Sequence, residues 1–241
     1  MKLSGFLVGA LLSALLASTG CTAEDAAPDY RYRLTVEVDT PEGLRTGSSV
    51  IEVQRAVADP VINPSASILR TRIRGEAVAV DLPGGQTLYA LLGNGQSGQW
   101  AAAVVPLLAP DAQDDNPFDD VLLLEGKQEL PRTWPPVGHI GERPAYPMLV
   151  TFGDEADPTS VARVDPDDLA ASFGEGVELK RITAELTDDP VTTGIEERLG
   201  WLAETEGAIG KIPMSERPPS GIALPLHATL SETAFRKGAK K

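Results

Sequence analysis

The chain has few of the residues that form covalent cross-links or carry out catalysis. Its 241 residues include one cysteine and two histidines, and only 5% of them are aromatic. A single cysteine excludes an internal disulfide and a zinc–thiolate site. The fold must therefore depend on a hydrophobic core, and a chain of this length can bury a large one.

Basic residues are also scarce, and their scarcity excludes one class of partner. The chain has 21 lysines and arginines against 35 aspartates and glutamates, a formal net charge of −14. A surface this negative repels nucleic acid and anionic lipid headgroups. We therefore expect no nucleic-acid partner, and we expect that a basic helix does not attach the protein to a membrane.

The sequence has one long hydrophobic run, which lies close to the first residue. Residues Phe6 to Ala17 are almost wholly apolar, with Lys2 before them and small residues after them. A helix that spans a bilayer needs about 20 apolar residues, so this run is too short. A positive start, a short apolar core and a small-residue exit are typical of a secretory signal peptide. We predict such a peptide over residues 1–20.

The cysteine lies directly after this predicted peptide. Thr19-Gly20-Cys21 resembles the lipobox of bacterial lipoproteins, although Ser18 occupies a position where leucine is more common. The resemblance implies cleavage before Cys21, acylation of Cys21 with palmitate-type chains, and a membrane anchor. In that family an aspartate after the cysteine implies retention at the inner membrane, but this chain has Thr22 there. The resemblance therefore implies that the protein is anchored to the outer membrane and faces the periplasm. The inner membrane, or secretion with a chance cysteine, is the alternative. We expect residues 21–29 to be a tether.

The first part of the chain after the tether has the pattern of antiparallel strands. Apolar and polar residues alternate from Tyr30 to Asp39, which predicts a strand with one buried face. Thr40 to Gly43 has the composition of a turn, and residues 49–57 are again rich in strand formers, so we predict a long hairpin. Further strands are predicted at residues 68–74, 78–82 and 87–92.

The second part mixes helical and strand patterns. We predict a helix that Ser97 caps and Pro106 ends, an irregular proline-rich stretch from Pro131 to Pro147, and a buried strand over residues 147–152. Further predictions are a helix from Asp165 to Gly174, a capping box at 193–196 before a helix, and a frayed basic tail from Arg236. Residues 177–186 are also predicted to form a strand, whose alternation slips at Lys180-Arg181, so that either a bulge lies there or the strand begins late.

The order of these elements indicates the fold class. Strands cluster early and helices late, without regular alternation, which favours α+β: an antiparallel β-rich N-terminal part followed by an α/β C-terminal part. We expect a single domain over residues 30–230, followed by a basic tail over 231–241. A seam between two lobes at 130–147 is the alternative.

Two stretches of the mature chain resemble known sequences. Tyr30 to Val53 (YRYRLTVEVDTPEGLRTGSSVIEV) and Val161 to Leu202 (VARVDPDDLAASFGEGVELKRITAELTDDPVTTGIEERLGWL) resemble a group of uncharacterised proteobacterial proteins of unknown function. Together they cover a little over a quarter of the chain. The resemblance implies an inherited domain, and it implies no catalytic residue.

Histidines and carboxylates are the candidates for chemistry. His139 and His227 both have proline-rich surroundings, and neither Gly-x-Ser-x-Gly nor Ser-x-x-Lys occurs in the mature chain. The acidic clusters at 111–116 and 154–157 lack the spacing of a calcium loop. We therefore predict no catalytic residue, no metal site and no cofactor. The alternative is a periplasmic hydrolase that acts on a cell-wall or carbohydrate substrate.

The charges are divided unevenly along the chain. Residues 30–75 carry seven arginines against five acids, whereas residues 111–206 carry seven basic against twenty-three acidic residues. If their strands are neighbours, five arginines share one surface that could bind carboxylates or phosphates: Arg31, Arg33, Arg70, Arg72 and Arg74. Ordinary surface ion pairs are the alternative. We predict a lipid-anchored envelope protein with a periplasmic binding or interaction domain, whose partner is an envelope protein or an anionic ligand.

Overall fold

The structure is a computed structural model that describes residues 28–57, 69–110, 119–136 and 141–238. Cys21, the predicted signal peptide, most of the tether and His139 lie outside these residues. The described part has the α+β composition that the sequence predicts, with an antiparallel β-rich N-terminal part. None of its helices is both long enough and apolar enough to cross a bilayer.

Short antiparallel strands supply most of the regular structure. The strands are β1 Tyr30–Thr40, β2 Gly43–Val57, β3 Leu69–Glu76, β4 Val78–Asp81, β5 Thr87–Ala90, β6 Gln128–Glu129, β7 Thr133–Trp134, β8 Arg143–Pro144, β9 Leu149–Phe152, β10 Val161–Val164, β11 Glu178–Leu186 and β12 Arg236–Lys237. The α-helices are α1 Trp100–Leu108, α2 Ala170–Phe173, α3 Ile195–Arg198 and α4 Leu226–Thr229. Single 3₁₀ turns cover 83–85, 119–123, 158–160, 200–203, 214–216 and 232–234.

The strands form two main sheets. The larger has the order β12-β3-β2-β1-β11-β6 and the smaller has the order β10-β9-β5-β4, while β7 and β8 pair separately. The predicted hairpin is confirmed, because Tyr30 pairs with Val53 and Thr40 pairs with Gly43. Of the two alternatives for the slip in β11, the structure has the bulge: Glu37 pairs with Arg181 but Val38 pairs with Leu179, so Lys180 is the extra residue.

The small sheet lies between two apolar clusters. On one face, Leu88 of β5 joins a cluster with the inward residues of β1, including Leu34. On the other face, Tyr89 joins a cluster with Phe235 and with Leu199, which follows α3. All four residues of β5 are buried because both faces of the sheet are covered.

The two sheets approach each other most closely where β2 passes over β4. At Gly47, an added Cβ would lie well inside van der Waals contact of the carbonyl of Ala79. The two backbones leave no room for a side chain at position 47, so only glycine fits there without a shift of one strand.

Helix α1 continues past the proline that was predicted to end it. Pro106 lies inside the helix, which ends at Leu108, so that prediction is wrong. Ser97 accepts a hydrogen bond from the amide of Gln99 in the preceding turn, and α1 itself begins without a side-chain cap. The predicted inward face is confirmed, because Trp100 and Val104 are both buried.

Several other boundaries differ from the predictions. The proline-rich stretch contains the short pair β7–β8, and β10 was not predicted. Helix α2 starts only at Ala170. Asp165 accepts from the amide of Asp167 in the turn before the helix, and Asp168 accepts from the amide of Ala171 in its first turn. Gly174 ends α2 as predicted, with a φ of +100°. Arg236 and Lys237, predicted to be frayed, pair with β3 as strand β12.

Candidate functional site

Four of the five predicted arginines lie on the outer face of the large sheet. Strand β2 lies between β1 and β3, and its Glu52 pairs with Arg31 on one side and Arg74 on the other. Because side chains alternate along a strand, Arg33 and Arg72 share this face. Arg70 belongs to β3, but its side chain lies outside the part that the structure describes.

One carboxylate bridges two of these arginines. Glu52 lies 2.9 Å from the guanidinium of Arg31 and 3.3 Å from that of Arg74. The Glu52 side chain is only 8% exposed, whereas those of Arg31 and Arg74 are 40% and 50% exposed. Two cations share one anion, so this cluster keeps a local excess of one positive charge. Each guanidinium also keeps N–H donors that face solvent.

The remaining arginines of this face are not part of the bridge. Arg33 forms ion pairs with Glu185 and Asp189, so acids of the same protein already surround it. Arg72 is exposed. The ion pairs of Arg31, Arg33 and Arg74 agree with the alternative of ordinary surface pairs, but at the bridge two of these cations share the single carboxylate of Glu52.

A groove of about 850 Å³ runs beside the bridge. We call it the arginine groove, and its walls are Arg31, Glu52 and Arg74 on one side, residues 190–194 and 196–197 on the other, and residues 236–238 at one end. Thr192 attaches this second wall to β2, since its hydroxyl accepts from the amide of Val50 at 2.8 Å and its amide donates to the carbonyl of Val50 at 3.1 Å.

Glu76 caps the helix that ends this wall. Its carboxylate accepts hydrogen bonds from the amides of Gly194 at 3.0 Å and Ile195 at 2.9 Å. The capping box predicted at Thr193 is therefore wrong, because a carboxylate from β3 takes the position that a local side chain would fill. Burial raises the pKa of Glu76, and the two amide hydrogen bonds oppose that rise.

The C-terminal strand closes the end of the groove. Arg236 is buried, forms an ion pair with Glu196 and donates to the carbonyl of Leu202 at 2.7 Å. Gly238 packs on the stem of Arg74, because a Cβ placed at Gly238 would lie 2.6 Å from Cγ of that arginine. Arg236 and Glu196 therefore satisfy each other, and Arg31 and Arg74 remain the exposed cations of the bridge.

His227 has no catalytic partner among the described residues. The imidazole packs beside Gly210. Hydrogen bonds from the side chain and amide of Thr159 lower the pKa of Asp157, and His227 adds only a minor electrostatic contribution. Ser160, in a turn that contacts α4, donates its hydroxyl to the backbone carbonyls of Asp154 and Asp157. This hydroxyl is therefore not oriented toward a histidine.

Within the described ranges, no three carboxylate, histidine or cysteine side chains are grouped to hold a metal ion. In the acidic cluster at 154–157, Asp154 accepts from the amide of Ala156, and Asp157 accepts from Thr159. These carboxylates stabilise turns. The other acidic cluster, at 111–116, lies outside the described residues, as does His139.

No family model, no curated protein and no solved structure matches the chain. What the arginine groove can bind therefore has to follow from its own residues.

Proposed function

We propose that the protein is a lipid-anchored protein of the cell envelope whose periplasmic domain binds a protein partner through the arginine groove. The signal-peptide pattern of residues 1–20 and the lipobox-like Cys21 support the anchor. The observation that supports the binding role is the bridge at Glu52, which holds two exposed guanidinium groups beside an open groove.

The bridge suits a carboxylate on the partner. Glu52 fixes the positions of Arg31 and Arg74, so both guanidinium groups are oriented before the partner arrives. A second carboxylate, supplied by the partner, would balance the remaining positive charge. It would also accept charge-assisted hydrogen bonds from the free N–H groups of the two arginines. Hydrogen bonds to charged groups each contribute about 1.5–3 kcal/mol.

The opposite wall limits how much negative charge the partner can carry. Glu196 and Glu197 border the groove, and Glu197 is exposed. A polyanion would meet these acids as well as the arginines, whereas an isolated acidic residue on a partner would meet mainly the arginines. The groove therefore favours a polypeptide segment that presents one aspartate or glutamate.

The alternative is a periplasmic hydrolase that acts on a cell-wall or carbohydrate substrate. Such an enzyme needs a histidine or an acid paired with a second reacting group. His227 forms no such pair among the described residues, and His139 lies outside them. No feature of the described groove favours hydrolysis over binding.

The test is cross-linking in intact cell envelopes followed by purification of the tagged full chain. We expect one defined partner protein to be captured by the wild type, and the double variant Arg31→Ala/Arg74→Ala to lose it by about tenfold or more. Arg45→Ala is the matched control, because Arg45 forms its ion pair with Glu42 beside the hairpin turn. Equal capture of the partner by the wild type and the double variant would reject the groove as the binding site.

A further inference from the structure

A second, smaller cavity lies beside the C-terminal strand, and Lys237 of that strand borders both this cavity and the arginine groove. It has a volume of about 240 Å³ and lies between the glycine-rich loop 93–98 and residues 229–234. Its apolar wall includes Leu92, Met148 and Leu230, and hydroxyl groups line its rim. We call this cavity the lysine pocket after Lys237, the one charged residue among the described residues that line it.

Lys237 is held in place by the fold. Its backbone belongs to β12 and pairs with Gly75 of β3, and its ammonium group donates to the carbonyl of Gly98. The side chain is half-buried, and burial lowers the pKa of the amine. No charged neighbour among the described residues opposes this shift. The cation is therefore partly removed from water without a carboxylate that compensates it.

We propose that the lysine pocket binds a small organic acid whose carboxylate pairs with Lys237 and whose apolar body packs against Leu92 and Leu230. This site goes beyond the partner-binding role of the arginine groove: Lys237 borders both cavities, but the arginines of the bridge do not line the lysine pocket.

Size and lining both favour this ligand class. A water molecule occupies about 30 Å³ in the liquid, so a pocket of about 240 Å³ holds roughly eight such volumes. That space suits a chain of about eight non-hydrogen atoms. The hydroxyls of Ser97 and Ser231 can donate to the second oxygen of the carboxylate. Inorganic phosphate has no apolar part that could pack against the apolar wall, and a neutral alcohol would bring no negative charge to the ammonium group, which has only the carbonyl of Gly98 as its acceptor among the described residues.

The experiment is calorimetric titration of the purified full chain with hexanoate, hexan-1-ol and inorganic phosphate. We expect hexanoate to bind, and the other two probes to bind about tenfold more weakly or not at all. Lys237→Met should weaken hexanoate binding by about tenfold, whereas Lys237→Arg, which keeps the charge, should retain most of it. Lys211→Met is the control, because Lys211 is exposed and lies outside the pocket.

Two results would overturn the proposal. One is equal affinity of hexanoate for the wild type and Lys237→Met, and the other is phosphate binding as tight as that of hexanoate. If Lys237→Met does not fold, the proposal is tested on the wild type by chemical acetylation of its lysines. Hexanoate should slow the acetylation of Lys237 but not that of Lys211, as measured by mass spectrometry. Unchanged hexanoate binding by Arg31→Ala/Arg74→Ala separates this site from the arginine groove, and its loss in that variant would reject a separate pocket.

Discussion

The hydroxyl of Tyr30 donates a hydrogen bond of 3.0 Å to the backbone carbonyl of Ala102 in α1. In an uninterrupted helix this carbonyl would accept from the amide of residue 106, but that residue is a proline and has no N–H. Tyr32 forms a similar bond with the carbonyl of Ala101 at 2.7 Å. Tyr30 therefore satisfies the carbonyl that the proline leaves without a helical donor, and Tyr32 binds the carbonyl before it, while α1 continues to Leu108.

Tyr30→Phe should destabilise the fold by about 1–2 kcal/mol, because a buried carbonyl loses its closest donor. The effect should stay below the cost of a wholly unpaired carbonyl, since a guanidinium nitrogen of Arg55 lies 3.4 Å from the same oxygen. Urea unfolding measures the change. Tyr146→Phe is the control, because Tyr146 is only partly buried and stacks with Arg132. Equal losses in the two variants would contradict the role of Tyr30.

Removal of the Glu76 cap should destabilise the fold. Glu76→Ala leaves the amides of Gly194 and Ile195 without their acceptor, and the loss of a helix cap costs about 1–2 kcal/mol. The exposed Glu197, in the first turn of α3, supplies the matched control, and Glu197→Ala should cost less than about 0.5 kcal/mol. The idea fails if the free energy of unfolding falls equally in both variants.

Glu76 should also make the free energy of unfolding depend on pH, with a sign opposite to that of an acid whose pKa is lowered by folding. Because burial raises its pKa in the folded state above the ordinary value of 4.5, the folded protein binds the proton more tightly than the unfolded chain does. The contribution of Glu76 to the free energy of unfolding should therefore decline as pH rises from 4.5 through the folded-state pKa. Subtraction of the pH profile of Glu76→Gln, which cannot titrate, isolates this decline. A difference that instead grows with pH would contradict it.

Gly47→Ala should be the most damaging of the small substitutions. The new methyl group would overlap the carbonyl of Ala79, so β2 and β4 must move apart, and overpacking of this kind costs about 1–3 kcal/mol. At Gly98 an added Cβ meets no atom within 4 Å, so Gly98→Ala should change stability by less than about 0.5 kcal/mol. Thermal unfolding of the two alanine variants provides the comparison, and similar melting temperatures would argue against a tight crossing at Gly47.

Cys21→Ser should release the protein from membranes or leave it unprocessed, because the serine cannot carry a thioether-linked lipid. At least two acyl chains are needed for stable attachment, at about 0.8 kcal/mol per buried methylene. Thr22→Asp should keep the acylation but move the protein to the inner membrane, which makes it the matched variant. Membrane fractionation and mass spectrometry of the N-terminal residue read out both changes. Unchanged fractionation of Cys21→Ser would reject the lipid anchor.

Local patterns were enough to predict the hairpin and to place Arg31 and Arg33 on its polar face. Alternation defines the strands, and a turn at Pro41-Glu42 sets Arg31 opposite Glu52, because each step from the turn advances both strands by one residue. The pairing of Glu52 with Arg74 required knowledge that β3 lies next to β2, which alternation alone does not provide.

Other features depend on residues far apart in the sequence and were not predictable from local patterns. Glu76 lies more than a hundred residues before the helix that it caps, so the local sequence pointed to Thr193 instead. Arg236-Lys237 has the composition of a solvated tail, and only its pairing with Gly75 and Glu76 makes it a strand. Pro106 was misassigned because its missing amide is compensated by a tyrosine from another element.

The position of β1 in the large sheet sets the order in which the protein can assemble. One neighbour of β1 is β2, from the same hairpin, but the other is β11, which is synthesised more than a hundred residues later. A chain that is threaded N-terminus first would therefore hold its hairpin with one side unpaired until β11 emerges. Folding dominated by such distant pairings is slow. The unpaired edge of β1 is exposed until β11 is available, and this is the stage at which a chaperone would bind the chain most readily.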